Sequence, residues 1–379
     1  MLNYGKHNIN LNDIKGVQKC LKSDFLTQGP KVDEFEDLIK KKFKSKFCTV
    51  VSNGTSALHL AANILDWKKG DKVALTPITF VASSNCILYK NATPEFVDID
   101  INTFNLDLNR LESTLKKNKN IKAVVATDYA GNPCEWKELK YLANYYKIFL
   151  VNDNCHAIGS KYKNDEGYAV KYADIVTHSY HAVKSITTGE GGALLTNNTK
   201  FEKKAKLLRN HGIESINSKT NIKPKRMLEL GYNYRLPDIL CSLGISQLSR
   251  LKEFVRKRNE IAKYYKKELS NFENIKIQEV NTDDFCSFHL FSVLIDFKKI
   301  KKSKKELFNY FLKNKIKLQI HYLPIYKHPF YKKNFKIKEC DFPNSEKFYR
   351  QQVSLPIYPD LKYSDLKKIV SKIKYFLGS

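Results

Sequence analysis

Over its first two-thirds the chain alternates short apolar runs with longer amphipathic stretches, and this alternation limits the possible folds more than any other property. The runs Phe47-Cys-Thr-Val-Val-Ser, Lys72-Val-Ala-Leu-Thr, Pro94-Glu-Phe-Val-Asp-Ile, Ala123-Val-Val-Ala-Thr-Asp and Ile148-Phe-Leu-Val-Asn-Asp read as strands buried on both faces. Between them, segments such as Ser56-Ala-Leu-His-Leu-Ala-Ala-Asn-Ile-Leu and Trp136-Lys-Glu-Leu-Lys-Tyr-Leu-Ala-Asn-Tyr-Tyr place apolar residues at helical spacing. Buried strands joined by helices make βαβ crossovers, so the expected class is α/β with a mainly parallel central sheet.

The pattern changes after Leu236. From there to Leu269 the spacing predicts one long helix with charged residues on its outer face, a connector between two units. Beyond it, Ser287-Phe-His-Leu-Phe-Ser-Val-Leu-Ile-Asp reads as a strand, Lys304-Lys-Glu-Leu-Phe-Asn-Tyr-Phe-Leu as a helix, and the stretch from Asp365 to Leu377 as a closing amphipathic helix. The expected division is a large domain over 1–250, including the N-terminal segment, and a small C-terminal α+β domain over 251–379.

The formal charge of +27 raises the question of a nucleic-acid partner. The excess is overwhelmingly lysine, spread from Lys40-Lys-Lys-Phe-Lys to Lys298-Lys-Ile-Lys-Lys-Ser-Lys-Lys, so we read it as compositional bias at solvated positions. Such a field still draws in anionic small molecules. No apolar run reaches the roughly 18 residues of a membrane span, and the start lacks the apolar core of a secretion signal, so no membrane association is expected and the cytoplasm is the expected address. Eight cysteines without a C-x-x-C pair suggest neither a zinc site nor a disulfide framework.

In an open α/β sheet, ligands collect beyond the carboxyl ends of the strands. After the first strand, Ser52-Asn-Gly-Thr-Ser puts Gly54, Thr55 and Ser56 at a helix start, which serves equally as a plain N-cap or as a phosphate nest. Phe80, in Thr76-Pro-Ile-Thr-Phe-Val-Ala-Ser, is by itself an ordinary core residue. Asp153 ends a buried strand, where a carboxylate is costly without a cationic partner, and His156 follows three residues later. The segment His178-Ser-Tyr-His-Ala-Val-Lys-Ser-Ile-Thr-Thr-Gly-Glu-Gly-Gly then sets Lys184 in a loop at the same sheet edge. A lysine amine, a carboxylate, an aromatic face and a phosphate nest together match the needs of pyridoxal phosphate: the amine for a Schiff base and proton transfer, the acid for the pyridine nitrogen, the ring for stacking, and helix N–H groups and hydroxyls for the phosphate.

Taken with Leu26-Thr-Gln-Gly-Pro, Gly231-Tyr-Asn-Tyr-Arg-Leu and His321-Tyr-Leu-Pro-Ile-Tyr, these motifs resemble, nearly end to end, the DegT/StrS family of nucleotide-sugar aminotransferases. The resemblance implies the PLP-dependent aminotransferase fold type I, acting as a homodimer with shared active sites. It also implies that Lys184 carries the cofactor, Phe80 stacks on its ring, Asp153 meets the pyridine nitrogen, His156 contacts the phenolic oxygen and Ser179 the phosphate. Asn233 matches a phosphate contact supplied by the neighbouring subunit.

The segments Asp128-Tyr-Ala-Gly-Asn-Pro-Cys, Pro77-Ile-Thr-Phe-Val-Ala and Ser23-Asp-Phe-Leu-Thr-Gln-Gly are most similar to the family's pseudaminic-acid branch. That similarity implies transfer from L-glutamate to C4 of a UDP-linked 4-keto-6-deoxy-N-acetylhexosamine, the alternative being another nucleotide-sugar aminotransferase. Implied substrate contacts are Tyr4, Asp24, Phe25, Leu26, Thr27, Gly54, Ser179, Asn233, His321, Tyr322, Leu323 and Pro324. The basic run Lys223-Pro-Lys-Arg226 is a candidate aid to the diphosphate. Two departures from the family pattern are Tyr180 in place of phenylalanine and Asn154-Cys155 in place of a small pair. His181 and His211 are read as structural.

Overall fold

The computed structural model describes residues 1–215 and 225–378. Seven strands form the central sheet: β1 (Phe47–Val51), β2 (Lys72–Leu75), β3 (Thr93–Phe96), β4 (Ile121–Thr127), β5 (Phe149–Asp153), β6 (Ile175–Ser179) and β7 (Gly192–Thr196), in the order β1-β7-β6-β5-β4-β2-β3. β3, β2, β4, β5 and β6 run parallel, while β7 lies antiparallel to both of its neighbours. The mainly parallel α/β sheet expected from the alternation is present.

Period-two alternation within these strands divides the core between two faces. Val51, Val73, Leu75, Val125, Val151 and Leu194 pack with the helix Gly54–Ile64 on one side. Val50, Ala74, Val124, Leu150, Val176 and Leu195 pack with Phe35, Trp136 and Tyr168 on the other. With both faces covered, a polar side chain at a strand end is either hydrogen-bonded or aimed into a cavity.

A short hairpin, β8 (Ile213–Ser215) with β9 (Lys225–Met227), precedes a second, antiparallel sheet of β10 (Ile275–Ile277), β11 (Phe291–Ile295) and β12 (Gln352–Leu355). Helices Leu251–Leu269, Lys304–Lys313 and Tyr363–Leu377 cover this sheet and share its core through Tyr265, Phe311 and Ile369. The N-terminus docks here as well: Leu2 N–H bonds to Lys315 O and Lys317 N–H to Leu2 O, each at 2.8 Å. Among the described residues no helix is long and apolar enough to cross a membrane.

Two sequence expectations are corrected. The single helix from Leu236 to Leu269 is two helices, Asp238–Ser249 and Leu251–Leu269. Arg250 leaves helical geometry (φ −99°, ψ 0°), and its guanidinium pairs with Asp13, a fully buried acid that also accepts from Gln247 Nε2 at 2.9 Å. The first helix packs on Leu11–Leu21 and Pro30–Phe43, the second covers the C-terminal sheet, and one straight rod could not do both. The strand read from Ser287 begins only at Phe291, because Phe288 has a left-handed backbone (φ 47°) that no strand accommodates.

Candidate active site

A cavity of about 610 Å³ opens at the carboxyl ends of the parallel strands. Residues at the ends of β1, β2, β5 and β6 or just beyond them reach it: Gly54 and Thr55, Phe80, Asp153 and His156, and Ser179 with Lys184. His289, Gln319, His321 and Tyr322, from around the C-terminal sheet, form the opposite wall. A wider, shallower groove of about 970 Å³, edged by Lys266, Lys267, Asp283 and Asp284, brings no comparable set together, so volume alone does not locate the chemistry.

The helix Gly54–Ile64 starts directly off β1, with Asn53 Oδ1 capping Ser56 N at 2.8 Å. Its first N–H groups are thereby left to face the cavity. Gly54 is needed for contact: a Cβ there would lie 2.8 Å from Ser179 Cβ and 3.3 Å from Cys155 Sγ. The same holds for Gly192, whose Cβ would sit 2.6 Å from the backbone of Asn53. Thr55 lines the cavity, whereas the Ser56 hydroxyl is engaged by Asn53 Oδ1 (3.0 Å) and Ser52 Oγ (2.9 Å).

Asp153 is 4% exposed. Its Oδ2 accepts from Ser83 Oγ at 2.6 Å and its Oδ1 from the Cys155 N–H at 3.3 Å. The residues flanking it point to the other face of β5, as strand alternation demands. There Asn152 and Asn154 donate to Asp128 Oδ2 at 3.3 and 3.1 Å, and Tyr168 OH donates to the same oxygen at 2.7 Å. Asp128 Oδ1 accepts from Trp136 Nε1 and the Cys134 N–H. Of the Asn154-Cys155 pair that departs from the family pattern, Asn154 is therefore held with Asn152 by a buried carboxylate behind the sheet, away from the cavity, whereas Cys155 lines it.

Phe80, read alone as a core residue, is 54% exposed with its ring at the cavity, its centroid 6.1 Å from that of Tyr322. Lys184 sits in a tight loop closed by Thr188 N–H to Tyr180 O and Tyr180 N–H to Gly191 O. Burial lowers its pKa, opposed by the nearby Cys155 and Asp153, and a lysine so shifted has more neutral, nucleophilic amine.

The polarity of the opposite wall is set by one backbone group. Ala130 N–H donates to His156 Nδ1 at 3.3 Å, so the ring proton resides on Nε2 and donates to Tyr322 OH at 2.9 Å. The Tyr322 hydroxyl hydrogen is thus free for a ligand. Burial and the Lys184 charge hold His156 well below the ordinary imidazole value and push His321 down to about 3, so both are neutral near pH 7. His321 Nδ1 pairs with Ser354 Oγ at 2.9 Å, and its ring lies 5.2 Å from that of Tyr4.

Not every expected contact converges within one chain. Asp24, Phe25, Leu26, Thr27 and Asn233 are exposed and outside this cavity; the half-buried Tyr4 and Leu323 and the buried Pro324 do not line it either. Lys223 and Pro224 lie outside the described residues. Conversely, His181, set aside on sequence grounds, lines the cavity with Glu190, and His211 does not. His289, Gln319 and Thr127 also line it and were missed; a histidine inside the apolar run before β11 was the available signal for the first.

The residues present fit pyridoxal phosphate: an amine, a buried carboxylate, an exposed aromatic face, and a helix start that a Cβ would obstruct. The sequence profile of the DegT/DnrJ/EryC1/StrS aminotransferase family matches residues 7–374. The chain belongs to this family. As a family member it is 40% identical over 372 residues to the UDP-4-amino-4,6-dideoxy-N-acetyl-beta-L-altrosamine transaminase of Campylobacter jejuni strain 81-176, covering 97% of this chain and 95% of that one. It is 36% identical over 366 residues to a protein of Methanocaldococcus jannaschii, covering 96% and 94%. Among solved structures, Helicobacter pylori PseC, an aminotransferase involved in the biosynthesis of pseudoaminic acid, superposes with a TM-score of 0.91 at 30% identity, covering 100% of this chain and 99% of that one. The aminotransferase fold, from end to end, is shared.

Proposed function

We propose that this aminotransferase binds pyridoxal 5'-phosphate in the 610 Å³ cavity and moves an amino group from L-glutamate to C4 of a UDP-linked 4-keto-6-deoxy-N-acetylhexosamine, a step of pseudaminic acid biosynthesis. The carrying observation is the meeting of Lys184, Asp153 and Phe80 in one cavity, at the mouth of a helix whose N-terminus faces the same space. The relatives from Campylobacter and Helicobacter support the choice of sugar.

The cofactor supplies an electrophilic aldehyde and an electron-accepting ring. Lys184 is the residue that would hold it, and its amine, lining the same cavity, is the group that would move the proton. Asp153, its carboxylate fixed by Ser83, is the group that would hold the proton on the pyridine nitrogen. Phe80 would present its face to the ring, and Gly54, Thr55 and Ser179 would form the phosphate end, while Ser56, expected to join them, does not line the cavity and keeps its hydroxyl on Asn53 and Ser52. His156 orients Tyr322, whose hydroxyl is a donor for a ligand oxygen. The UDP portion of the sugar, remote from the reacting carbon, contributes binding energy that orients the ketone.

The surface position of Asn233 and the exposure of Phe25 (53%) and Leu26 (47%) accord with a homodimer in which Asp24–Thr27 and Asn233 complete the partner subunit's site. The test is borohydride reduction of the purified holoenzyme followed by peptide mapping, together with NMR identification of the amino sugar made from glutamate and a panel of UDP-, GDP- and dTDP-linked keto sugars. Label on Lys184 and amination of the UDP substrate at C4 are expected. Label elsewhere overturns the site, and amination of only a non-UDP sugar overturns the substrate.

A further inference from the structure

His289 stands in the cavity wall with no assigned task. It is 5% exposed; its Nδ1 is fully buried without a hydrogen-bond partner, and its Nε2, which also has no partner among the described residues, is the nitrogen left accessible to the cavity. An unpartnered buried imidazole nitrogen costs about 1–3 kcal/mol, and an apolar residue of similar volume would fill the same space without that loss. The ring sits against that of His156, centroids 4.6 Å apart, and is close enough to Lys184 for the lysine charge to act on it.

The surroundings hold the ring there deliberately. Phe288, the preceding residue, takes φ 47°, a strained conformation for a bulky side chain. Arg258, itself buried, locks that backbone by donating from Nη1 to the carbonyls of Phe288, His289 and Ile357 at 3.3, 3.2 and 2.9 Å. Strain kept in place by a buried guanidinium, in order to present an unpartnered imidazole to a cavity, is the pattern of a ligand contact.

The chemistry of the two substrates selects the ligand. An amino acid carries a carboxylate on the very carbon that bears the reacting nitrogen, so a donor for it must stand near the Lys184 amine. Among the described lining residues there is no arginine, and the single lysine is Lys184. The same space must next accept an uncharged sugar ring, which a permanent guanidinium would disfavour because its charge would be buried without a partner. A neutral imidazole N–H serves both: it donates to a carboxylate as a charge-assisted hydrogen bond and tolerates a hydroxyl or ketone in its place.

We propose that His289 is a substrate-binding residue that donates its Nε2–H to the carboxylate of the amino-acid donor. The inference rests on the aminotransferase reading above. It is tested with H289F and H289Q holoenzymes, by calorimetric titration with succinate as a carboxylate probe and by separate KM values for glutamate and the keto sugar. In H289F the succinate Kd and the glutamate KM rise about tenfold or more, the keto-sugar KM stays within about twofold, and the visible band of bound cofactor is unchanged. H289Q, which keeps an N–H donor, recovers part of the loss and covers the case in which the phenylalanine variant does not fold. Unchanged succinate affinity in the folded variants, or equal losses for both substrates, overturns the proposal. A wild-type protein that binds succinate through His289 but shows no glutamate turnover would instead overturn the aminotransferase reading and leave the carboxylate site standing.

Discussion

Ser83 Oγ donates a 2.6 Å hydrogen bond to Asp153 Oδ2, and it does so as the last member of a chain of hydroxyls. Because the carboxylate only accepts, Ser83 is the donor. Its oxygen then receives from Thr79 Oγ1 at 3.0 Å, and Thr79 receives from Thr127 Oγ1 at 3.1 Å. Three hydroxyls in series thus fix the orientation of the buried carboxylate.

Ser83→Ala removes the terminal donor and is expected to weaken cofactor retention by about tenfold, read from the visible absorbance during dialysis and reconstitution. Asp153→Asn keeps the shape but not the charge, and kcat is expected to fall by about 10²–10³ with the fold intact by circular dichroism. An Asp153→Asn enzyme with wild-type kcat would show that the acid does not serve the ring nitrogen.

Lys184→Ala leaves the cavity without its amine. Glutamate-dependent turnover is expected to drop by at least about 10³, and borohydride treatment to label no peptide around residue 184. Retained turnover would place the amine elsewhere.

Gly54→Ala puts a methyl group 2.8 Å from Ser179 Cβ, at the start of the helix that faces the cavity. Cofactor affinity is expected to fall by about tenfold or more, with a much smaller change in Tm, because the clash is at the cavity mouth. Equilibrium dialysis of the cofactor, alongside thermal unfolding, separates the two effects.

His156, His178, His289 and His321 are buried with pKa values held below the ordinary imidazole range by desolvation, His178 and His321 to about 3. Their folded-state values lie below the unfolded value of about 6.5, so in that window the unfolded chain binds more protons. Stability is therefore full above about pH 6.5 and is lost as pH falls, each imidazole withdrawing about 1.4 kcal/mol per pH unit. Tm measured from pH 7.5 to 5 is expected to decline, and His178→Phe to flatten the slope. A Tm that rises on acidification contradicts this assignment.

Asp128→Ala strips a buried acceptor from Trp136, Tyr168, Asn152, Asn154 and the Cys134 N–H together. The expected cost is about 3–5 kcal/mol in denaturant unfolding. Asp128→Asn, which keeps acceptor capacity on one oxygen, is expected to lose less.

The apolar runs by themselves determined the sheet. A stretch such as Ala123-Val-Val-Ala has no polar face to offer water, so it is buried on both sides wherever the chain goes, and the helical spacing between such runs leaves only crossover connections. The placement of Lys184, Asp153 and Gly54 at one edge was legible for the same reason: each follows an apolar run, and the carboxyl ends of parallel strands meet there. Tertiary structure alone decided what depends on contacts between distant segments. The exposure of Phe80, the retreat of Asn152 and Asn154 behind the sheet to Asp128, the break at Arg250 set by Asp13, and the delivery of His289 and Tyr322 across the cavity all arise from partners far away in sequence. Periodicity records which face of an element is apolar, and it carries no information about which remote side chain will stand opposite.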